Sequence, residues 1–144
     1  MNVKYVWNWL WSRFLRRLAD AHRHFGNQYS NRSEYQAAVG NYTRALRLDP
    51  CYTEALYSRG VLYWREMGRC ESAIQDLSRV LELDPSWAKA YLNRGLAYKM
   101  QQEHSRALAD FERYLEEGQD DYWLEAARRQ LAELREGMGD GNGS

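Results

Sequence analysis

The sequence predicts an all-α protein: an α-solenoid of three stacked helical hairpins, with an amphipathic helix before them and a capping helix after them. Three glycines, Gly26, Gly60 and Gly95, recur at intervals of 34 and 35 residues. The only prolines, Pro50 and Pro85, each follow a Leu-Asp pair and stand 35 residues apart. A period near 34 with small residues at fixed offsets is typical of stacked helical hairpins.

The length and charge of the chain limit the classes of protein to consider. Its 144 residues suffice for one domain with a core. The net charge is zero, but residues 1–25 hold five basic residues against one acidic, and residues 110–144 hold ten acidic against four basic. This asymmetry argues against a nucleic-acid groove along the molecule. It allows head-to-tail contacts, or a basic head resting on an anionic surface.

The first element, residues 1–18, is predicted to be an amphipathic helix rich in Trp and Arg. Its apolar residues recur at helical spacing, while Trp9 and the basic residues occupy other faces. The apolar run is too short to span a bilayer, which takes about 20 residues. Because no helix-breaking residue precedes Ala19, this helix can continue into the first hairpin. The residues predicted to dock it on a partner or membrane are Val3, Trp7, Leu10, Trp11, Phe14, Arg13, Arg16 and Arg17.

Three alternatives are open for this apolar stripe. It folds back over the first hairpin, it docks on another protein or a second subunit, or it lies in a membrane interface. In the last case tryptophan would sit at headgroup level and arginine would reach anionic lipid. The clustering of tryptophans with basic residues favours the last two alternatives, and protein docking first.

The three hairpins are predicted to span residues 19–52, 53–87 and 88–121. A tyrosine follows each glycine by three residues, and an alanine recurs in each second helix; these are Tyr29, Tyr63, Tyr98, Ala38, Ala73 and Ala107. The second unit holds one extra residue, which predicts a longer turn at residues 66–70. Gln119 stands where a third proline is expected, so a break should precede the capping helix at 122–136. The glycine-rich residues 137–144 are predicted to form a disordered tail.

These units resemble the tetratricopeptide repeat (TPR) family. The family pattern W-x2-L-G-x2-Y…A-x3-F…P is matched in the first unit by His22-x2-Phe25-Gly26-x2-Tyr29…Ala38-x3-Tyr42…Pro50. The other two units match in register, so the resemblance covers roughly residues 19–121. It implies a non-enzymatic interaction module, an adaptor, scaffold or assembly factor, that binds a peptide or partner helix in a concave groove.

The resemblance also implies residues for that groove. One TPR subgroup, found in chaperone co-factors, clamps a C-terminal carboxylate with basic and amide side chains. Arg23, Asn27 and Lys89 match positions of that clamp, whereas Ser58 and Asn93 replace its remaining Asn and Arg. A chaperone-like role is therefore supported at three of the five positions. The other reading is that Arg23 and Lys89 are ordinary solvated charges.

The middle and third units are predicted to extend the groove with aromatic and apolar groups. A shared helical face carries Glu54, Tyr57, Val61, Trp64 and Arg65, and the third unit adds Leu92, Leu96 and Met100. Trp64 is either an interface anchor or a packing contact to the next hairpin. The partner expected from this set is a partly hydrophobic peptide or helix with acidic character or a free C-terminus.

The sequence carries no motif for catalysis, metals or cofactors. His22 and His24 point to different sides of a helix, and no phosphate-binding loop, Cys-x-x-Cys pair or nucleophile motif occurs. We therefore expect no enzyme activity, no metal and no cofactor; an enzyme accessory subunit is a remote alternative. Cys51 and Cys70 are expected to be free thiols, which favours a cytoplasmic location. A homo-oligomer and a peripheral contact with the cytoplasmic side of a membrane are further expectations.

Overall fold

The computed structural model describes residues 3–139, and within them the chain forms seven α-helices and no strand. Three antiparallel hairpins stack in sequence, and the last helix packs against the third hairpin. The all-α solenoid predicted from the sequence is thus confirmed. The helices are α1 (Val3–Tyr29), α2 (Arg32–Leu48), α3 (Thr53–Arg65), α4 (Cys70–Leu83), α5 (Ala88–Met100), α6 (His104–Glu117) and α7 (Asp121–Gly139).

The recurring glycines lie where the two helices of a hairpin cross. A Cβ added to Gly60 would lie 3.0 Å from Cγ of Leu77, and one added to Gly95 would lie 2.9 Å from Cε1 of Phe111. Leu77 and Phe111 are both fully buried. The interval of 34 to 35 residues is therefore the distance along the chain between successive helix crossings.

The turns within the hairpins differ in length as the glycine spacing predicted. Two residues join α1 to α2, whereas four residues, Glu66 to Arg69, join α3 to α4. Gly68 in that longer turn has a φ of +64°, a conformation that glycine adopts at little cost. Cys70, expected to belong to the turn, is instead the first residue of α4.

Buried arginine–aspartate pairs join the helices of the second and third hairpins. Arg59 donates from Nε and Nη2 to the two carboxylate oxygens of Asp76, at 2.7 Å each. Its Nη1 donates to Oγ1 of Thr43 at 3.0 Å, on α2 of the preceding hairpin. One arginine therefore stabilises its own hairpin and its contact with the neighbour. The third hairpin repeats this arrangement with Arg94, Asp110 and Ser78.

The first hairpin lacks this ion pair. Phe25 and Asn41 occupy the positions that correspond to Arg59 and Asp76. The Phe25 side chain is 49% exposed and stacks on Tyr29, with ring centroids 6.5 Å apart. The outer face of α1 is consequently apolar where the later hairpins use an arginine.

The amphipathic extension and the first repeat helix are one unbroken helix. Ser12, Ala19 and Gly26, spaced by seven residues, are its buried residues and lie on one face. Arg13 donates to Asp49 at 2.6 Å, and Nε of Arg16 donates to the Tyr52 hydroxyl at 2.6 Å. These contacts hold the extension against the connection between α2 and α3, so the unit boundary predicted at residue 18 has no break in the helix.

The last helix is longer than the sequence indicated. α7 ends at Gly139, so residues 137–139 are helical, which corrects the start predicted for the disordered tail. The remainder of that tail, residues 140–144, lies outside the described residues. Nζ of Lys99 donates to Gln130 at 2.5 Å and to Glu133 at 2.9 Å, which fixes α7 against α5.

The glycine crossings give a test with a matched control. Gly95→Ala should lower the free energy of unfolding by about 1–3 kcal/mol, because the buried Phe111 ring has no room to move aside. Gly40→Ala is the control: Gly40 lies within α2, and an added Cβ would meet nothing within 4 Å. It should raise the free energy of unfolding by about 0.5–1 kcal/mol through helix propensity. Urea denaturation measures both, and equal effects would contradict this geometry.

Candidate peptide-binding groove

A groove runs across α1, α3 and α5 and ends at the first turn of α7. It consists of two adjoining pockets that share Val61 and Arg65. The first pocket is lined mainly by α1 and α3, and the second by α3, α5 and α7. Four further residues line the first pocket without having been predicted from the sequence: Ser30, Tyr35, Leu62 and Glu66.

The first pocket presents hydrogen-bond donors to an acceptor group. Arg23 and Asn27 lie one helical turn apart on α1 and both line it. The Tyr35 hydroxyl donates to Oδ1 of Asn27 at 3.1 Å, which leaves the Asn27 amide nitrogen to face a ligand. Nη2 of Arg23 lies 3.7 Å from Oδ1 of Asp20, in an ion pair on the same helix. Since Arg23 and Asn27 both line the pocket, an entering carboxylate or carbonyl would meet guanidinium and amide donors.

The second pocket is an aromatic cleft of about 270 Å³. Its walls are the rings of Tyr57, Trp64 and Trp123, with Leu92 and Leu96 between them. Lys89 also lines it and is exposed to solvent. A cleft of this kind suits a bulky apolar side chain that is followed or preceded by a negative charge.

Asn93 lines the second pocket and is held there by a network of hydrogen bonds. Its Nδ2 donates to the Tyr57 hydroxyl at 3.1 Å and to the Lys89 carbonyl at 2.8 Å. Its Oδ1 accepts from Nε1 of Trp64 at 3.2 Å. Burial raises the pKa of Tyr57 above its ordinary value. Asn93 therefore fixes the two aromatic walls in place.

Both sequence readings of Trp64 describe part of its environment. The ring is half-buried and bonded to α5 of the next hairpin, as the packing interpretation expected. The ring also lines the second pocket, and its role as an interface anchor stays a prediction. The indole is thus held in place while remaining available to a ligand.

Three predicted groove residues lie outside both pockets. Ser58 is half-buried on α3, and Glu54 is exposed in the first turn of α3. Met100 lies at the end of α5 beside the α3–α4 turn, where its Sδ is 4.0 Å from Sγ of Cys70. The remaining ten line one pocket or both: Arg23, Asn27, Tyr57, Val61, Trp64, Arg65, Lys89, Leu92, Asn93 and Leu96.

Trp123 is the groove residue that sequence reasoning placed elsewhere. It was expected only in the capping helix, yet it lines the second pocket from the first turn of α7. Tyr122 beside it is 68% exposed and meets it edge-to-face, with ring centroids 5.1 Å apart. The sequence signal for this position was the pair of adjacent aromatic residues directly after an Asp-Asp pair. A helix that only caps the solenoid with a polar outer face does not need two such residues.

The charge of the groove is positive. Arg23, Arg65 and Lys89 line it, and Glu66 supplies the one carboxylate among the residues of the two pockets. Arg65 borders both pockets, so its guanidinium lies between the donor-rich end and the aromatic end. This distribution favours a ligand with more than one carboxylate.

The stripe on α1 is a second exposed surface, separate from the groove. Trp7, Leu10, Trp11 and Phe14 are between 48% and 56% exposed and form an apolar depression on the outer side of α1. The first hairpin does not cover the stripe, since α1 is one unbroken helix and these side chains stay about half exposed. Among the described residues, no helix is both long enough and apolar enough to cross a membrane.

Two of the α1 arginines that were predicted to dock the helix make bonds within this chain. Arg13 bonds to Asp49, and Arg16 bonds to Asp20 and Tyr52. The Arg13 guanidinium also lies 4.1 Å from the Tyr52 ring centroid. Of the three arginines, only Arg17 is exposed.

The repeat pattern matches a known family. Profiles described as TPR repeat match residues 26–66 and 65–102, and one described as tetratricopeptide repeat matches residues 89–117. The chain belongs to the TPR family. No curated protein sequence matches this chain significantly.

Solved TPR domains share the architecture over nearly the whole chain. The Arabidopsis OM64 TPR domain is 25% identical, with a TM-score of 0.76 and coverage of 90% of this chain and 98% of its own. The first TPR of Spaghetti (RPAP3), bound to the HSP90 peptide SRMEEVD, is 26% identical, with a TM-score of 0.70 over 86% and 95%. The Sgt2 TPR domain from Aspergillus fumigatus is 27% identical, with a TM-score of 0.69 over 88% and 82%.

The two groove asparagines should respond differently to truncation. Asn93→Ala leaves the Tyr57 hydroxyl and the Trp64 indole nitrogen without their partner, which should cost about 1–3 kcal/mol in the free energy of unfolding. Asn27→Ala, the matched control, removes one bond at an exposed position and should cost less than about 1 kcal/mol. Chemical denaturation followed by tryptophan fluorescence measures both. A larger loss for Asn27→Ala would refute the structural role assigned to Asn93.

Proposed function

We propose that this TPR protein is an interaction module that holds an acidic peptide, or the acidic end of a partner helix, in the groove of α1, α3 and α5. The position of Arg65 and Lys89 at the aromatic cleft, with Arg23 in the adjoining pocket, supports this most directly. The RPAP3 domain was solved with a peptide that contains two glutamates and ends in aspartate. By analogy the protein is an adaptor, scaffold or assembly factor, and not an enzyme.

The ligand we propose combines a carboxylate with a bulky apolar side chain. The carboxylate would be received by Arg23 and Asn27, and the apolar side chain by the cleft of Trp64 and Trp123. Asn93 stands where the carboxylate-binding subgroup has an arginine, but Arg65 brings a guanidinium to the border of the same pocket. Arg65 would therefore supply the second cation from α3 instead of α5.

We further propose that the exposed stripe of α1 docks on protein rather than on lipid. Arg13 and Arg16 are bonded to other residues of this chain, so fewer cations accompany the stripe than its sequence indicated. A peripheral membrane protein, on the cytoplasmic side, is the alternative. Flotation of the full chain with anionic liposomes distinguishes the two, since only the membrane reading expects it to float.

Groove variants should separate charge from apolar contact. For a peptide that ends in a bulky apolar residue and a C-terminal aspartate, Lys89→Ala and Arg65→Ala should weaken binding strongly at low salt and less at high salt. Trp123→Ala should weaken binding by about 1–3 kcal/mol with little dependence on salt. Titration calorimetry at two ionic strengths measures all three.

Arg79→Ala is the matched control for the groove cations. Arg79 is exposed on α4, the second helix of its hairpin, and pairs with Glu82 outside both pockets. The Arg79→Ala substitution removes one positive charge from the protein and leaves the groove unchanged. If Arg79→Ala weakened the peptide as much as Lys89→Ala does, binding would reflect net charge, and the groove proposal would fail.

A further inference from the structure

The apolar stripe of α1 is longer than the predicted extension. It continues through the first repeat helix, so that one face of α1 carries exposed apolar side chains along its full length. These residues are between 38% and 67% exposed: Val3, Trp7, Leu10, Trp11, Phe14, Leu18, Phe25 and Tyr29. At a rise of about 1.5 Å per residue, the stripe is about 39 Å long.

This face is the open edge of the solenoid. On α3 and α5 the residues that correspond to Phe25 are Arg59 and Arg94, and each donates to a hydroxyl of the preceding hairpin. No hairpin precedes α1 in the described chain, and Phe25 cannot make that bond. The edge is therefore suited to an apolar contact and not to a further repeat stacked in the same way.

The exposed apolar area is that of an interface. Five half-exposed aromatic rings alone present on the order of 500 Å², since such a side chain covers about 150–250 Å². The largest apolar patch on a typical monomer is about 300–600 Å². Adding the three aliphatic residues brings the stripe close to the roughly 800 Å² that each partner buries in a standard complex.

The stripe is self-complementary when two copies run antiparallel. Its midpoint is residue 16, so the bulky layer of Leu10 and Trp11 would meet the layer of Ala21 and His22 in the second copy. Ala21 is small, and the His22 ring is turned toward Glu34, at 2.6 Å, which leaves room there. A parallel arrangement would instead place Trp11 of one chain against Trp11 of the other. Antiparallel packing also places the positive end of each helix dipole beside the negative end of the other, which is favourable.

We propose that the occupant of this edge is a second copy of the chain, with the two α1 helices antiparallel and crossing near residue 16. The inference rests on the proposed docking of α1 and is independent of the groove. Arg17, exposed beside the midpoint, would then lie close to Arg17 of the second copy. The two like charges repel, so the pairing depends on apolar contact and is opposed by charge.

Sedimentation equilibrium of the full chain tests the proposal. We expect a monomer–dimer equilibrium whose Kd rises about tenfold or more for Trp11→Ala, because buried tryptophans dominate interface energies. Tyr122→Ala, which removes an even more exposed ring on α7, outside the stripe, should leave the Kd unchanged. Melting curves by circular dichroism establish that both variants fold. A monomer at every concentration, or equal effects of the two variants, would overturn the proposal.

Salt distinguishes a second copy from an anionic surface. Raising ionic strength from about 0.1 M to 1 M shortens the screening length from about 10 Å to about 3 Å. The dimer should tighten, and Arg17→Gln should tighten it at low salt. An anionic lipid or an acidic partner would instead be lost under both changes. Monomeric chain that floats with anionic liposomes would overturn the second-copy assignment in favour of lipid.

Crosslinking tests the antiparallel register. In a Cys51→Ser background, Arg17→Cys should form dimers efficiently with a short thiol crosslinker. Tyr29→Cys should not, because the two copies of residue 29 would be about 39 Å apart. Equal crosslinking at both positions would indicate a parallel pair and contradict this register. Neither result bears on the groove, which peptide binding measures separately.

Discussion

The close approach of two helices at residues with little or no side chain determines the rest of this structure. Gly60 and Gly95 bring the helices of their hairpins together against Leu77 and Phe111. With the helices that close, Arg59 can reach Asp76 and also a hydroxyl of the preceding hairpin. The stacking of one hairpin on the next, and with it the concave groove, depends on this spacing.

Local patterns were enough to predict the fold because each hairpin contact is made by residues near in sequence. The glycine interval, the longer turn at Gly68 and the continuity of α1 all follow from spacing. The site was harder to predict from the sequence. Trp123 lines the groove from α7, and Arg13 bonds to Asp49. The spacing of apolar residues along a helix reveals neither contact. Whether a side chain reaches a pocket or a nearby carboxylate depends on how separate helices pack.

Asn93 has a different role from the residue that the carboxylate-binding TPR subgroup has at the same position. In the subgroup that binds carboxylates, the resemblance implies a cation at this position. Here the amide connects Tyr57 and Trp64, so the position stabilises the aromatic walls of the cleft. The loss of one cation is offset by Arg65, which comes from a different helix. In the proposed function, selectivity would therefore move toward apolar side chains while the groove keeps its positive charge.

The unbroken length of α1 has a mechanical consequence. The helix carries Arg23 and Asn27 of the proposed groove near one end and the tryptophans of the exposed stripe near the other, with no break between them. Whatever binds these tryptophans would therefore set the orientation and distance of a peptide held in the proposed groove. If two chains are joined there, they present a pair of grooves at a fixed separation. A ligand with two motifs at a matching span would then gain avidity from geometry alone.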